Sequence, residues 1–140
     1  MKVYNGEGQL LGRMASKIAK DVLMGEEVRV VNCDKVVVSG RSVRTFQDMK
    51  ARQDRRGYPL KSQKRPRMAD RFVRRAIRGM LPWKTTRGRE AFDRVMCYVG
   101  VPAEFASAEL VAVENANVTK LTKSKHVTVA EIIRSLGGKA

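Results

Sequence analysis

The feature that most restricts the fold is the stretch Leu11–Leu23, set between two short apolar runs. Apolar residues recur there at Leu11, Met14, Ala15, Ile18, Ala19, Val22 and Leu23, the spacing of one buried helix side. Ahead of it, Lys2–Asn5 reads as a short strand, and Gly6, Gly8 and Gly12 punctuate the turn that follows. Behind it, Gly25 stands where a left-handed residue closes a helix, and residues 27–32 form a strand rich in Val. Strand, helix and strand with short joins predict a right-handed crossover and a parallel pair. Residues 36–39 give a third apolar run, as expected of a strand covered on both faces.

Beyond Gly40 the chain changes character. Residues 41–94 hold eighteen of the 29 Lys and Arg residues and only five acids, so this segment carries thirteen of the fifteen net positive charges. Fourteen of the eighteen are arginine, whose planar fork meets phosphate oxygens bidentately and stacks on bases. A net charge of +15 far exceeds the magnitude of about 2 to 8 that keeps a small domain soluble. An acidic partner is implied, and the arginine bias makes it a nucleic acid. No apolar run approaches the ~20 residues of a membrane span, and the N-terminus lacks the apolar region of a signal peptide, so the expected location is the cytosol.

Ser42 is placed to cap a short helix ending near Met49. Residues 51–67 have no period and contain two prolines, so they read as an extended surface loop ordered mainly by a partner. Helical spacing returns with Met68, Ala69, Phe72, Val73, Ala76, Ile77 and Met80 on one side and Arg67, Arg71, Arg74 and Arg78 on the other. Pro82 stops that helix. Residues 88–96 fit a further helix with Ala91, Phe92 and Val95 inward, leading into a short strand and turn at CYVGVP. Thr128 is placed to cap a last helix running to Leu136, closed by Gly137 and Gly138. At 140 residues the expectation is a single domain over 1–140, with a basic extension at 41–67 and a C-terminal helical tail at 106–140.

The residues that invite chemistry are mostly cations. Like charges at i, i+4 repel by roughly 0.2 to 0.5 kcal/mol per pair, a cost that contact with a polyanion removes. The expected RNA-binding set is Arg41, Arg44, Arg52, Arg55, Arg56, Lys61, Lys64, Arg65, Arg67, Arg71, Arg74, Arg75 and Arg78. Lys84, Arg87 and Arg89 around the Pro82–Trp83 turn join it, with Arg13 and Lys17 on the first helix. Trp83 either stacks on a base or fills the core, and the core is favoured. Cys33 and Cys97 sit in apolar contexts and read as reduced core residues. The lone histidine, His126, lies in a surface context, and neither a nucleophile with its base nor an acidic pair suited to catalysis is evident. Catalysis, cofactor and metal are therefore not expected. One competing pattern is Gly6-x-Gly8-x-x-x-Gly12 with Asp34 after the second strand, one residue off a dinucleotide fingerprint. Turn glycines explain it more simply. Peripheral membrane attachment through the basic helix would favour lysine with large apolar anchors, and an arginine bias with only Phe72 speaks against it.

Two segments resemble the large-subunit ribosomal protein L13 family. LLGRMASKIAKDVLMGEEVRVVNCDKVVVSG is similar to that family's G-R-x-A-S helix and the strand region after it. RRAIRGMLPWKTTRGREAFDRVMCYVGVP is similar to its V-R-G-M-L-P signature, here with Ile77 for the usual valine, and its continuation looks like the archaeal and eukaryotic branch. The resemblance implies an α/β fold, a three-layer α/β/α domain with a small, mostly parallel four-stranded sheet. It implies a structural, non-enzymatic role against large-subunit rRNA beside neighbouring ribosomal proteins, with no membrane, small-molecule substrate or nucleotide cofactor. Gly12, Arg13, Lys17, Arg78, Gly79, Pro82, Lys84, Arg87 and Gly88 are the positions that match the family pattern.

Overall fold

A computed structural model describes residues 1–55, 66–123 and 125–139. The first strand, β1 (Lys2–Asn5), leads into helix α1 (Leu11–Leu23) and strand β2 (Val28–Val31). β1 and β2 pair in parallel with Lys2 opposite Val28 and Tyr4 opposite Val30, the crossover unit expected from their spacing. Gly25, with φ of +98°, takes the left-handed position just past α1.

Next come strand β3 (Val37–Ser39), helix α2 (Ser42–Asp54), helix α3 (Ala69–Gly79), helix α4 (Thr86–Asp93) and strand β4 (Val95–Cys97). Strand β5 (Leu110–Val111), strand β6 (His126–Thr128) and helix α5 (Val129–Ser135) complete the order. The main sheet runs β4-β2-β1-β5 with parallel neighbours throughout, so the fold is α/β on a small parallel sheet of four strands.

Alternation along β1 and β2 divides the apolar residues between the faces of this sheet. Tyr4, Val28 and Val30 meet Met14, Ala15, Ile18 and Val22 of α1 and Val73 and Ile77 of α3 in the larger core. Val3 and Val31 point the other way, where Phe105 covers them with Tyr98 and Ala108 alongside. The third layer is thin, made by the short helical turn Ala103–Phe105.

Several elements depart from the sequence reading. β3 does not join the main sheet but pairs antiparallel with β6, Val37 opposite Thr128 and Ser39 opposite His126. Asn32, at φ +55°, and the turn Cys33–Lys35 carry the chain off the end of β2. Val36 and Val37 are buried because they reach the core from that detour, while Ser39 is exposed, so the run is not a doubly covered strand. α2 is longer than expected, reaching Asp54 into the supposed loop, and Ser42 is its first residue, not its cap, which is Arg41. α4 starts at Thr86, where the Thr85 hydroxyl accepts from the Gly88 N–H at 3.2 Å; Val95 lies on β4 instead of a helix, and the strand stops at Cys97. After residue 105 the chain is mixed, with β5, two short turns and β6 ahead of α5. Thr128 does cap α5, through a reciprocal capping box with Glu131.

One buried polar cluster ties β1 to α1. The Tyr4 hydroxyl donates to the Asp21 carboxylate, which also accepts from Lys17 at 3.0 Å. Burial opposes ionisation of Asp21, yet the Tyr4 hydroxyl and Lys17 outweigh it and hold the carboxyl below its ordinary value. Burial, then the bond to Asp21, pushes the Tyr4 phenol well above its usual range.

The join between α3 and α4 is equally constrained. A Cβ at Gly88 would stand 2.0 Å from the Pro82 carbonyl oxygen, so the first turn of α4 seats directly on the Pro82–Trp83 peptide. A Cβ at Gly79 would meet nothing within 4 Å.

Two outcomes follow. Tyr4→Phe removes a donor to a buried charge and should lower stability at pH 7 by about 1.5–3 kcal/mol in urea unfolding. The depressed Asp21 carboxyl contributes stability above about pH 4 that is lost as pH falls through its folded value, so the Tyr4→Phe deficit should shrink at pH 2 to 3. A deficit that is equal at both pH values would show that the hydroxyl does not act through the ionised carboxylate. Gly88→Ala should cost about 1–3 kcal/mol by overpacking and shift Trp83 emission, whereas Gly79→Ala should gain about 0.5 kcal/mol of helix stability. Equal unfolding midpoints for those two variants would contradict the packing of Gly88 on Pro82.

Candidate nucleic-acid interface

α3 has two unlike sides because its apolar residues recur at helical spacing. Ala69, Phe72, Val73 and Ile77 are buried against α1, α5 and β4, which turns Arg71 into solvent and leaves Arg74, Arg75 and Arg78 half-buried along the flank. Met68 and Met80, expected inward, are 47% and 41% exposed at the ends.

The four arginines are not equivalent. Arg74 donates from Nε to the Val95 carbonyl at 2.9 Å and from Nη2 to the Phe92 carbonyl at 3.4 Å. Its guanidinium carbon lies over the Phe92 ring, 4.3 Å from its centre, with those two bonds fixing it there. Arg78 stands 5.1 Å from the Trp83 ring, and Trp83 meets Phe92 edge-on with centroids 5.1 Å apart. Trp83 is therefore not a core residue: it is 40% exposed, on the rim of this aromatic and cationic pair.

Beside the flank lies a groove of about 750 Å³. Arg67, Arg71, Arg74, Arg75 and Arg78 line it, together with the apolar Pro66, Met68 and Phe92, and among the described residues no acid does. Sequence reading missed Met68 and Phe92 as surface-forming residues, because helical spacing places both on the buried stripe.

The remaining cations surround this groove. Arg41, Arg44, Arg52 and Arg55 are exposed on or at the ends of α2, and Arg67 donates to the Gln53 amide oxygen at 3.2 and 2.6 Å, linking α2 to the start of α3. Lys84, Arg87 and Arg89 are exposed around the first turn of α4. Arg56, Lys61, Lys64 and Arg65 lie outside the described residues.

Some expected contacts are spent inside the chain. Arg13 donates to the Asn115 carbonyl at 3.0 Å, Lys17 is paired with Asp21, and Arg87 reaches the Leu23 carbonyl at 3.4 Å. With Arg94 on the Val22 carbonyl at 3.5 Å, Arg87 serves the exposed end of α1, as Arg74 serves α4. A cation at a helix C-terminus satisfies orphan carbonyls and complements the dipole. No sequence signal separates such an arginine from one awaiting phosphate. Gly12 and Gly79 face open space, while Gly88 is required by packing.

The other candidates are structural. A Cβ at Gly6 would come within 2.6 Å of a Val36 methyl, so this glycine admits β3's approach. At the carboxyl ends of β1 and β2, Asn32 donates to Asn5 at 2.9 Å and the Gly100 N–H donates to Asp34 at 3.4 Å. These groups answer one another. Cys33 and Cys97 are free and buried as expected, and their mutual contact, then burial, pushes the Cys97 thiol well up. Among the described residues there is no cluster of three metal-ligating side chains and no helix long and apolar enough to cross a membrane.

The sequence of the chain was compared with known proteins. The family described as Ribosomal protein L13 matches residues 1–104. The large ribosomal subunit protein uL13 of Methanococcoides burtonii is 42% identical over 139 residues, covering 99% of each chain. Its namesake in Archaeoglobus fulgidus is 43% identical over 96% of this chain and 86% of its own, and that of Methanocaldococcus jannaschii is 39% identical over 99% of both. All three are archaeal, in keeping with the WKTTRGREAF continuation. A match across three quarters of the length, on the segments that form α1, β2 and the α3–α4 turn, establishes that the chain belongs to the ribosomal protein L13 family.

Proposed function

We propose that the chain is a structural constituent of the large ribosomal subunit in the cytoplasm, where it binds and stabilises folded large-subunit rRNA through arginine and lysine contacts to phosphate. Neighbouring large-subunit ribosomal proteins complete its surroundings, and no chemical step is performed. The observation that carries this reading is that Arg41, Arg44, Arg52, Arg55, Arg71, Lys84 and Arg89 are all exposed and have no ion-pair partner among the described residues. A folded chain gains nothing internally from these charges. Displacing the counterions condensed on RNA supplies the free energy, and the rigid helices α2, α3 and α4 set where phosphates are met. The names of the archaeal relatives support the same placement.

Titration against a large-subunit rRNA fragment at several salt concentrations tests this. The logarithm of the association constant should fall with log salt at a slope of about −0.7 to −0.9 per phosphate met. Changing Arg41, Arg44, Arg71 and Arg89 together to Gln should make the slope shallower by roughly 3 while thermal stability stays unchanged. A slope equal to that of the parent chain would refute phosphate contact by these residues.

A further inference from the structure

Phosphate contact requires cations only, yet the groove beside α3 has an apolar wall as well. Met68 and Phe92 supply that wall, and Arg74 is fixed against it instead of reaching outward. Its bonds to Val95 and Phe92 hold the guanidinium over the ring beneath, at the groove that both residues line. A guanidinium plane backed by an aromatic ring is a stacking platform for a base. The groove volume, about 750 Å³, lies within the range of roughly 300 to 1,000 Å³ typical of sites that enclose small ligands. Arg71 at the rim is exposed, and its side chain has no partner among the described residues, so it is available to the phosphate attached to such a base.

We propose that this groove seats one unpaired RNA nucleotide, its base stacked on the Arg74–Phe92 platform beside Met68 and its phosphate on Arg71. This rests on the RNA-binding reading above and adds to it: the chain distinguishes a splayed nucleotide from paired RNA, where a uniform cationic surface would not. Bases within an A-form helix are stacked away and cannot enter, whereas bulges and loops offer them freely. An acidic peptide would satisfy the arginines but leaves the flat apolar wall without use.

The test compares the full chain with three RNA hairpins of closely matched phosphate number. One has a single-purine bulge, one has the same bulge with an abasic nucleotide, and one is fully paired. The purine bulge should bind about tenfold more tightly than its abasic counterpart. Arg74→Lys, which keeps the charge and removes the plane, should erase that difference. Because this variant also alters the end of α4, the abasic comparison in the parent chain stands as an independent readout. Equal binding of the purine and abasic bulges overturns the stacked nucleotide while leaving phosphate binding intact. Displacement of the bulged hairpin by poly-glutamate at equal charge concentration also overturns it, in favour of an acidic peptide. Failure of all three hairpins to bind in dilute salt overturns both readings.

Discussion

Ala69, Phe72, Val73 and Ile77 are drawn from water into the seam between α1, α5 and β4, and a helix seated in that way has the azimuth of its other side decided. Burying Phe72, Val73 and Ile77 contributes roughly 5 kcal/mol or more before conformational entropy is counted. On the opposite side Arg71, Arg74, Arg75 and Arg78 form four like-charged neighbours at i, i+3 and i, i+4, a cost of about 1–2 kcal/mol in all. Burial wins, so the arginines remain in register on a helix that their own repulsion would disfavour. The basic groove is thus a consequence of core packing, a surface arranged before any partner arrives.

Within that surface the arginines divide by what lies under them. Arg74 is close to carbonyls at the end of α4 and to the Phe92 ring, so its charge completes the fold. Arg87 and Arg94 act likewise at the end of α1. Arg71 is exposed, and its side chain has no partner among the described residues. Charge reversal at Arg74 would therefore disturb the α3–α4 join as well as any contact with RNA, while the same change at Arg71 would spare the join.

The parts of the fold that could be read beforehand are those with a period or a chemical signature. α1 and α3 have long apolar stripes, and the α5 cap has a threonine with a glutamate three residues on. β5 and β6 were not legible, since two or three residues are too few to alternate, and the placement of β3 depended on the left-handed turn at Asn32. The candidate interface was legible as a concentration of arginine. Its division into outward-facing cations and helix-end partners was not, because an arginine beside a carbonyl is written like any other. Gly88 illustrates the same limit: its need for a missing Cβ comes from Pro82, which reaches it only after α3 turns back into α4.

The charge is also segregated at a larger scale. From Val95 to Thr119 there is no Lys or Arg, and Glu104, Glu109 and Glu114 fall within that span. These residues provide β4, β5 and the Phe105 cover on the second face of the sheet. Arg29, which does border that face, is engaged with Glu27 and with the Val28 and Arg94 carbonyls. A chain with its positive charge spread evenly would approach a polyanion in any orientation. With thirteen of fifteen net charges confined to residues 41–94, the proposed RNA partner would exert a torque as well as an attraction, turning α2, α3 and α4 toward its phosphates. Under the proposed role, such orientation before contact would let so small a domain find one position among many similar phosphates without reading their sequence.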